Sequence, residues 1–186
     1  MEFLVTLTAL DAQGVEVDRD GIRGQLRRLW HAYGDERVIG LFTAENRGLL
    51  DKVLAGLPRQ IRVAEVAELA PHPDDPAATG LTGRPGVGPE YLISTAVMVP
   101  DDTTADVVAQ TEARESERTR ALAVRGNLVR LWGRPAGPEG PGTVGLWRAR
   151  DPGELMAILD SLPLSGWMTF ETIALTPHRD DPARAV

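Results

Sequence analysis

The sequence predicts an α+β fold, two ferredoxin-like repeats of βαββαβ type fused into one antiparallel-sheet α+β barrel. Three observations lead there. Five short segments recur in the same order in the two halves of the chain. The second half reads strand, helix, strand, strand, helix, strand. Each half is too small to cover both faces of its own sheet, so packing against the other half completes the fold.

The recurrence is explicit. Glu2-Phe3-Leu4-Val5 returns as Glu90-Tyr91-Leu92-Ile93, and Gly24 to Trp30 returns as Gly126 to Trp132. Ile39-Gly40-Leu41-Phe42 returns as Val144-Gly145-Leu146-Trp147, and Leu54 to Pro58 as Leu159 to Pro163. Pro71-His72-Pro73-Asp74-Asp75-Pro76 returns as Pro177-His178-Arg179-Asp180-Asp181-Pro182. Such internal similarity marks duplicated units. The boundaries are a first, shortened repeat over 1–76, a Gly-, Pro- and Thr-rich linker over 77–89, and a complete second repeat over 90–186.

In the second repeat, Tyr91 to Val99 is β-rich and stops at Pro100-Asp101. Asp101 or Asp102 caps a long helix that runs to about Arg125 and ends at Gly126. Its stripe of Val107, Val108, Thr111, Arg114, Glu115, Arg118 and Leu122 is only weakly apolar. Leu128 to Trp132 is a short strand, Pro135 to Gly142 a loop, and Thr143 to Arg148 the next strand. Asp151-Pro152 opens a second helix with Leu155, Ile158, Leu159 and Leu162 inward. Trp167 to Leu175 is the last strand. The first repeat keeps four strands and the second helix, about Glu45 to Gly56 with Leu49, Leu50, Val53 and Leu54. Between its first strand and Gly24 there is too little chain for the long helix, and Gly14, Asp18, Asp20 and Gly21 oppose one.

The 186 residues are 42% hydrophobic and 25% charged, the balance of an ordinary globular chain. Cysteine is absent, which removes disulfides, thiolate metal sites and a Cys nucleophile. The net charge of −7 argues against a nucleic-acid partner. Lys52 is the only lysine, so Schiff-base chemistry has almost no candidate. No signal peptide and no membrane-length apolar run is present, so the expected location is the cytoplasm. Neither a phosphate loop nor a dinucleotide fingerprint nor a nucleophile elbow occurs, and Asp74-Asp75 and Asp180-Asp181 read as exposed Pro-flanked turns, not metal ligands.

These segments together resemble the muconolactone Δ-isomerase family, within the dimeric α+β barrel proteins. The resemblance rests on Gly126 to Trp132, Val144 to Trp147, Glu154 to Leu164, Trp167-Met168 and the closing Thr176-Pro177-His178 with Asp180-Asp181-Pro182. The first repeat resembles it more faintly. What this implies is a cofactor-independent isomerase or cyclase that shifts a proton in a small unsaturated lactone, enone or polyketide-like substrate of secondary metabolism inside the barrel. That chemistry needs a positioned base, a group to receive the enolate oxygen and an apolar pocket. No cofactor and no metal are expected; the partner is a small molecule, with homo-oligomers possible through open strand edges.

The resemblance places Arg114-Glu115 on the family's Arg-Glu pair, with Ser116 where the pattern carries Lys. It places Arg130 where the pattern carries His in a His-Leu-Trp triplet. Glu115 is therefore the expected base, and Arg130, with its repeat mate Arg28, the expected oxyanion binder, although a guanidinium does not readily shuttle protons. Strict strand alternation puts Leu128, Arg130 and Trp132 on one face, where an arginine needs an anionic partner or ligand. His178 is a further catalytic candidate, from imidazole's near-neutral pKa. Trp132, Trp147, Trp167 and Tyr91 are expected to shape the substrate pocket. Each has a plainer reading: Glu115 in a solvated charged face, the arginines in ion pairs, the aromatics in the core, and His72 and His178 in paired terminal loops. Two other functions compete, a cofactor-free monooxygenase on the same scaffold and a non-catalytic small-molecule-binding or assembly protein.

Overall fold

A computed structural model describes residues 1–9, 24–81, 87–137 and 140–184. The expectation that the first repeat lacks its long helix falls on 10–23, outside the described residues. The chain divides into two compact units, Met1–Ala70 with Leu175–Val186, and Pro71–Ala174. The division does not follow the repeat boundary. The tail of the first copy, from Pro71, belongs with the second unit, and the tail of the second copy, from Leu175, belongs with the first.

The first unit contains β1 (Glu2–Ala9), β2 (Leu26–Ala32), β3 (Arg37–Thr43), helix α1 (Arg47–Ala55) and β4 (Ile61–Pro71). Strands β4, β1, β3 and β2 lie side by side and antiparallel, and Leu175–Pro177, the end of the chain's last strand, pairs with β2. Phe3, Val5 and Leu7 alternate inward along β1 and meet Leu50 and Leu54 of α1 in one buried cluster. Asn46 caps α1 by accepting from the Leu49 amide at 3.0 Å. Leu49, expected in the buried stripe, is exposed at the surface.

The second unit begins with a one-turn helix, α2 (Pro76–Thr79), within the stretch read as linker. Asp75 and Pro76 start it as cap and first residue. Then come β5 (Glu90–Val97), α3 (Ala105–Val124), β6 (Leu128–Gly137), β7 (Gly140–Arg148), α4 (Pro152–Asp160) and β8 (Met168–Pro177), in the sheet order β8-β5-β7-β6. Thr104 caps α3, three residues beyond the first of the expected aspartates, which lie in a turn. Gly126 ends it at φ 80°, a left-handed conformation in which glycine has no side chain to clash. Asp151 caps α4, and Leu155, Ile158, Leu159 and Leu162 are buried as the spacing predicts. Within the expected loop over 135–142 the described residues are strand, and 138–139 lie outside the described residues. β6 runs on to Gly137 and pairs there with Gly140.

One irregularity recurs in both units and corrects the expected side-chain facing. The register of β6 against β7 shifts between Leu128 and Arg130, so that Leu128 pairs with Trp147 but Arg130 with Leu146. β2 shifts identically between Leu26 and Arg28. Each shift is a β-bulge, one extra residue that breaks strict alternation. Leu128 therefore faces the same side as Leu131, in the cluster with Tyr91, Trp147, Leu122 and Leu159. Arg130 and Trp132 share the opposite face.

Candidate functional site

The second unit holds a cavity of about 620 Å³ between α3 and the sheet face that α3 covers. Ile93, Thr95 and Val97 of β5 form its floor, with Leu131, Thr143 and Trp147 beside them. Leu159, Leu162 and Leu164 close one side, and Met168 and Phe170 of β8 another. Glu112, Glu115, Ser116 and Thr119 of α3 form the roof, and His72, Pro73 and Asp74 of the first copy's tail the remaining wall. The weak apolar stripe of α3 now has its reason: this helix covers a cavity with polar groups, not a solid core.

Glu115 lies in that roof, partly buried. Its Oε2 accepts a hydrogen bond from the Leu164 amide at 2.9 Å. Its Oε1 has no hydrogen-bond partner among the described residues. Burial pushes the carboxyl above the ordinary glutamate range; the Leu164 amide pulls it partly back, and the nearby negative charge of Asp74 adds to the upward push.

Asp74 is buried, with Oδ2 accepting from Ser116 Oγ at 2.7 Å. Arg120 Nη2 stands 2.8 Å from Oδ1, at ion-pair distance, yet its N–H is not aimed at that oxygen, which receives no hydrogen bond. The Asp74 amide donates to His72 Nδ1 at 3.2 Å. In a neutral imidazole this bond puts the proton on Nε2. Burial lowers the His72 pKa, partly opposed by Asp74 and Asp75, so the ring favours its neutral form. Thr95 and Thr143 hydroxyls are 2.9 Å apart, and the Thr143 amide donates to Thr95 Oγ1 at 3.1 Å.

The other expected residues lie elsewhere. Arg130 is not in the cavity wall. Its Nε and Nη2 donate to the Asp75 carboxylate at 3.1–3.2 Å, its guanidinium stacks 4.6 Å over Trp132, and the Leu131 amide also donates to Asp75 at 3.0 Å. Arg28 repeats this arrangement in the first unit: Nε donates to Asp181 at 3.1 Å, the guanidinium stacks 4.6 Å over Trp30, and the Leu29 amide donates to Asp181 at 3.1 Å. The aspartates expected in exposed turns are thus buried anchors for the two bulges. Asp75 is 5% and Asp181 1% exposed.

His178 belongs to the first unit, is 2% exposed, and packs its ring 4.5 Å from that of His31. Its Nδ1 accepts from the Asp180 amide. Trp147 and Tyr91 are buried in the second unit's core; Trp147 also lines the cavity, whereas Tyr91 does not. The Trp147 ring lies along its own strand over Gly145, where a Cβ would collide with it. Trp167 sits half-buried in a 3₁₀ turn outside the cavity wall, and Trp132 is buried beneath Arg130. Of the two tail histidines that the sequence singles out, His72 lines the cavity together with Glu115 and His178 does not. Nothing in the duplicated tails distinguishes them. Among the described residues no group of three or more His, Asp or Glu is placed to hold a metal ion, and no helix is long and apolar enough to cross a membrane.

Comparison with solved structures identifies the fold. A structure described as a novel heme-binding protein from Thermus thermophilus superposes with a TM-score of 0.60 at 12% identity, covering 95% of this chain and 90% of its own. Two arginine-substituted mutants of chlorite dismutase from Candidatus Nitrospira defluvii superpose at TM-scores of 0.59 and 0.61, with 12% and 8% identity, 95% of this chain and 90% and 91% of theirs. These likenesses show the fold, the α+β barrel type that the repeats predict. A search of curated proteins finds no match. The sequence pattern of the muconolactone delta-isomerase family matches residues 12–75 and again 90–181, once per repeat and most of the chain in total. The chain therefore belongs to the muconolactone delta-isomerase family.

Proposed function

We propose that the cavity under α3 binds a small unsaturated lactone, enone or polyketide-like compound and shifts a proton between two of its carbons without a cofactor. The family and the fold fit a small-molecule-binding α+β barrel. The observation that carries the finer reading is Glu115, one oxygen fixed by the Leu164 amide and the other unpartnered, in surroundings that raise its pKa. A desolvated carboxylate is a better base toward carbon than one in water.

In this reading Glu115 Oε1 takes a proton from the carbon beside the carbonyl or at the end of its conjugated system. The released electron pair moves through that system to the carbonyl oxygen, and the proton returns at the other end. The developing oxyanion needs donors. His72, holding its proton on Nε2, is one. The Thr95–Thr143 pair is another, since two hydroxyls sharing one hydrogen bond leave one O–H to give. Arg130, bound to Asp75 on the other face, is not part of this scheme.

Haem, which one structural neighbour is described as binding, does not suit this lining. Its two propionates need cationic partners. The described wall offers Asp74, Glu112 and Glu115 and no Lys or Arg.

A second reading has one observation in its favour. The Glu115–Leu164 bond also ties α3 to the segment after α4, which a binding protein would keep without chemistry. Steady-state turnover of a panel of β,γ-unsaturated lactones and enones separates the two. Glu115→Gln is expected to lower kcat by about 100-fold or more, with ligand binding and circular dichroism preserved. Turnover retained in that variant discards Glu115 as the base.

A further inference from the structure

We infer that the cavity selects an uncharged carbonyl ligand and rejects ligands that carry a carboxylate. This rests on the reading of the cavity as a ligand site and narrows its substrate class. The ionisable groups in the described wall are His72, Asp74, Glu112 and Glu115. Three of the four are acids, and no Lys or Arg joins them. The arginines of α3 are directed to other partners. Arg114 Nη2 donates to Thr111 Oγ1, Arg118 donates to Ser161 Oγ, and Arg120 stands against Asp74. Arg130 is held by Asp75 on the far face of the sheet.

A carboxylate entering here would lose its water, meet no Lys or Arg among the described lining residues and face Glu115 and Asp74. Both effects disfavour it, because desolvated unpaired charge and like-charge contacts are costly. Muconolactone itself bears a free carboxylate, so this wall is a poor host for the compound that gives the family its name.

The polar groups that can reach a ligand instead suit a neutral acceptor. The Nε2–H of a neutral His72 and the spare hydroxyl of the Thr95–Thr143 pair both donate. Ser116 and Thr119 also line the wall, with the Ser116 hydroxyl given to Asp74, and much of the remainder is apolar, with Trp147 and Phe170 offering flat surface. Near the residues that line it, Met98 is 67%, Val99 40% and Val107 46% exposed. Val99 itself lines the cavity, and Met98 precedes it in sequence. A neutral carbonyl on an apolar, ring-sized body satisfies every part of this description.

The test is binding, read by quenching of tryptophan fluorescence and confirmed by calorimetry on the full chain at pH 7.5. The probes share one skeleton: 2-acetylnaphthalene as the ketone, 2-naphthoate as the carboxylate and 2-naphthylmethylammonium as the cation. The ketone is expected to bind at least about tenfold more tightly than the carboxylate, and more tightly than the amine. Glu115→Gln is expected to narrow the gap between ketone and carboxylate. Thr143→Val is expected to weaken the ketone alone, and both variants are checked for a native circular dichroism spectrum. A carboxylate bound as tightly as the ketone, an amine bound more tightly, or a ketone that fails to bind overturns the inference. Turnover is not read, so a failure of the proton-shift reading leaves this result distinguishable.

Discussion

Glu115 shows how a single position changes meaning with its surroundings. In the sequence it stands in a run of charges, with Glu112, Arg114, Glu117, Arg118 and Arg120, and a run of that kind is usually a solvated face. The structure turns Thr111, Thr119 and Leu122 inward and leaves Glu117 and Arg114 outside, so Glu115 falls at the edge of the covered side. Because burial raises its pKa, the base form gains population as pH rises, and turnover is expected to climb through that raised pKa to a plateau. The stability effect has the opposite sign. A carboxyl whose folded pKa is raised contributes stability that is complete below its unfolded pKa and is lost as pH rises through the folded one. Glu115→Gln escapes that loss, so its Tm relative to the parent is expected to rise between pH 4 and pH 8. Thermal melts across that range check it; a relative Tm that falls with pH contradicts the account. Glu115 was legible in the sequence through the Arg114-Glu115 pattern. The partner of Arg130 was not, because Asp75 lies 55 residues away and reaches it from the other copy's tail.

At the scale of elements, the two bulges and the two tails form one repeated device. A bulge frees an amide and redirects an arginine, and a tail aspartate receives both. Strand existence and helix spans were legible from periodicity, and so were the helix-ending Gly126 and the inward stripe of α4. The bulges were not, since an extra residue leaves no mark in a short apolar strand. Asp75→Ala would leave the Arg130 guanidinium and the Leu131 amide without this acceptor, at a cost of about 3 kcal/mol. Asp181→Ala is expected to cost a similar amount in the first unit. Chemical denaturation measures both; a loss under about 0.5 kcal/mol, the usual scale for unremarkable surface changes, would show that the carboxylates anchor little. Gly126→Ala, forced to keep φ near 80°, is expected to cost about 1 kcal/mol.

For the whole molecule, the repeat was plain in the sequence but the exchange of tails was not. The tail motifs are nearly identical, Pro71 to Pro76 and Pro177 to Pro182, so either could anchor to either copy. The compact units settle the pairing: the second unit takes the first tail, with His72 and Asp74 in its cavity wall, and the first unit takes the second. Cutting the chain at the repeat boundary therefore leaves each half with the wrong anchor. Separate 1–76 and 90–186 chains are expected to show no cooperative melt by circular dichroism, and mixing them to restore one; an independently cooperative half contradicts this. The same exchange explains why the expected His178 and the observed His72 stand in different units. The central claim is that Glu115 removes a proton from carbon in a bound neutral carbonyl compound. It is tested most directly in deuterated water, by following deuterium entry into a β,γ-unsaturated ketone or lactone by NMR. Deuterium is expected at both ends of the conjugated system with the parent chain and in neither position above background with Glu115→Gln. Equal incorporation by the two proteins, or none by the parent with a ligand that binds, would contradict the claim.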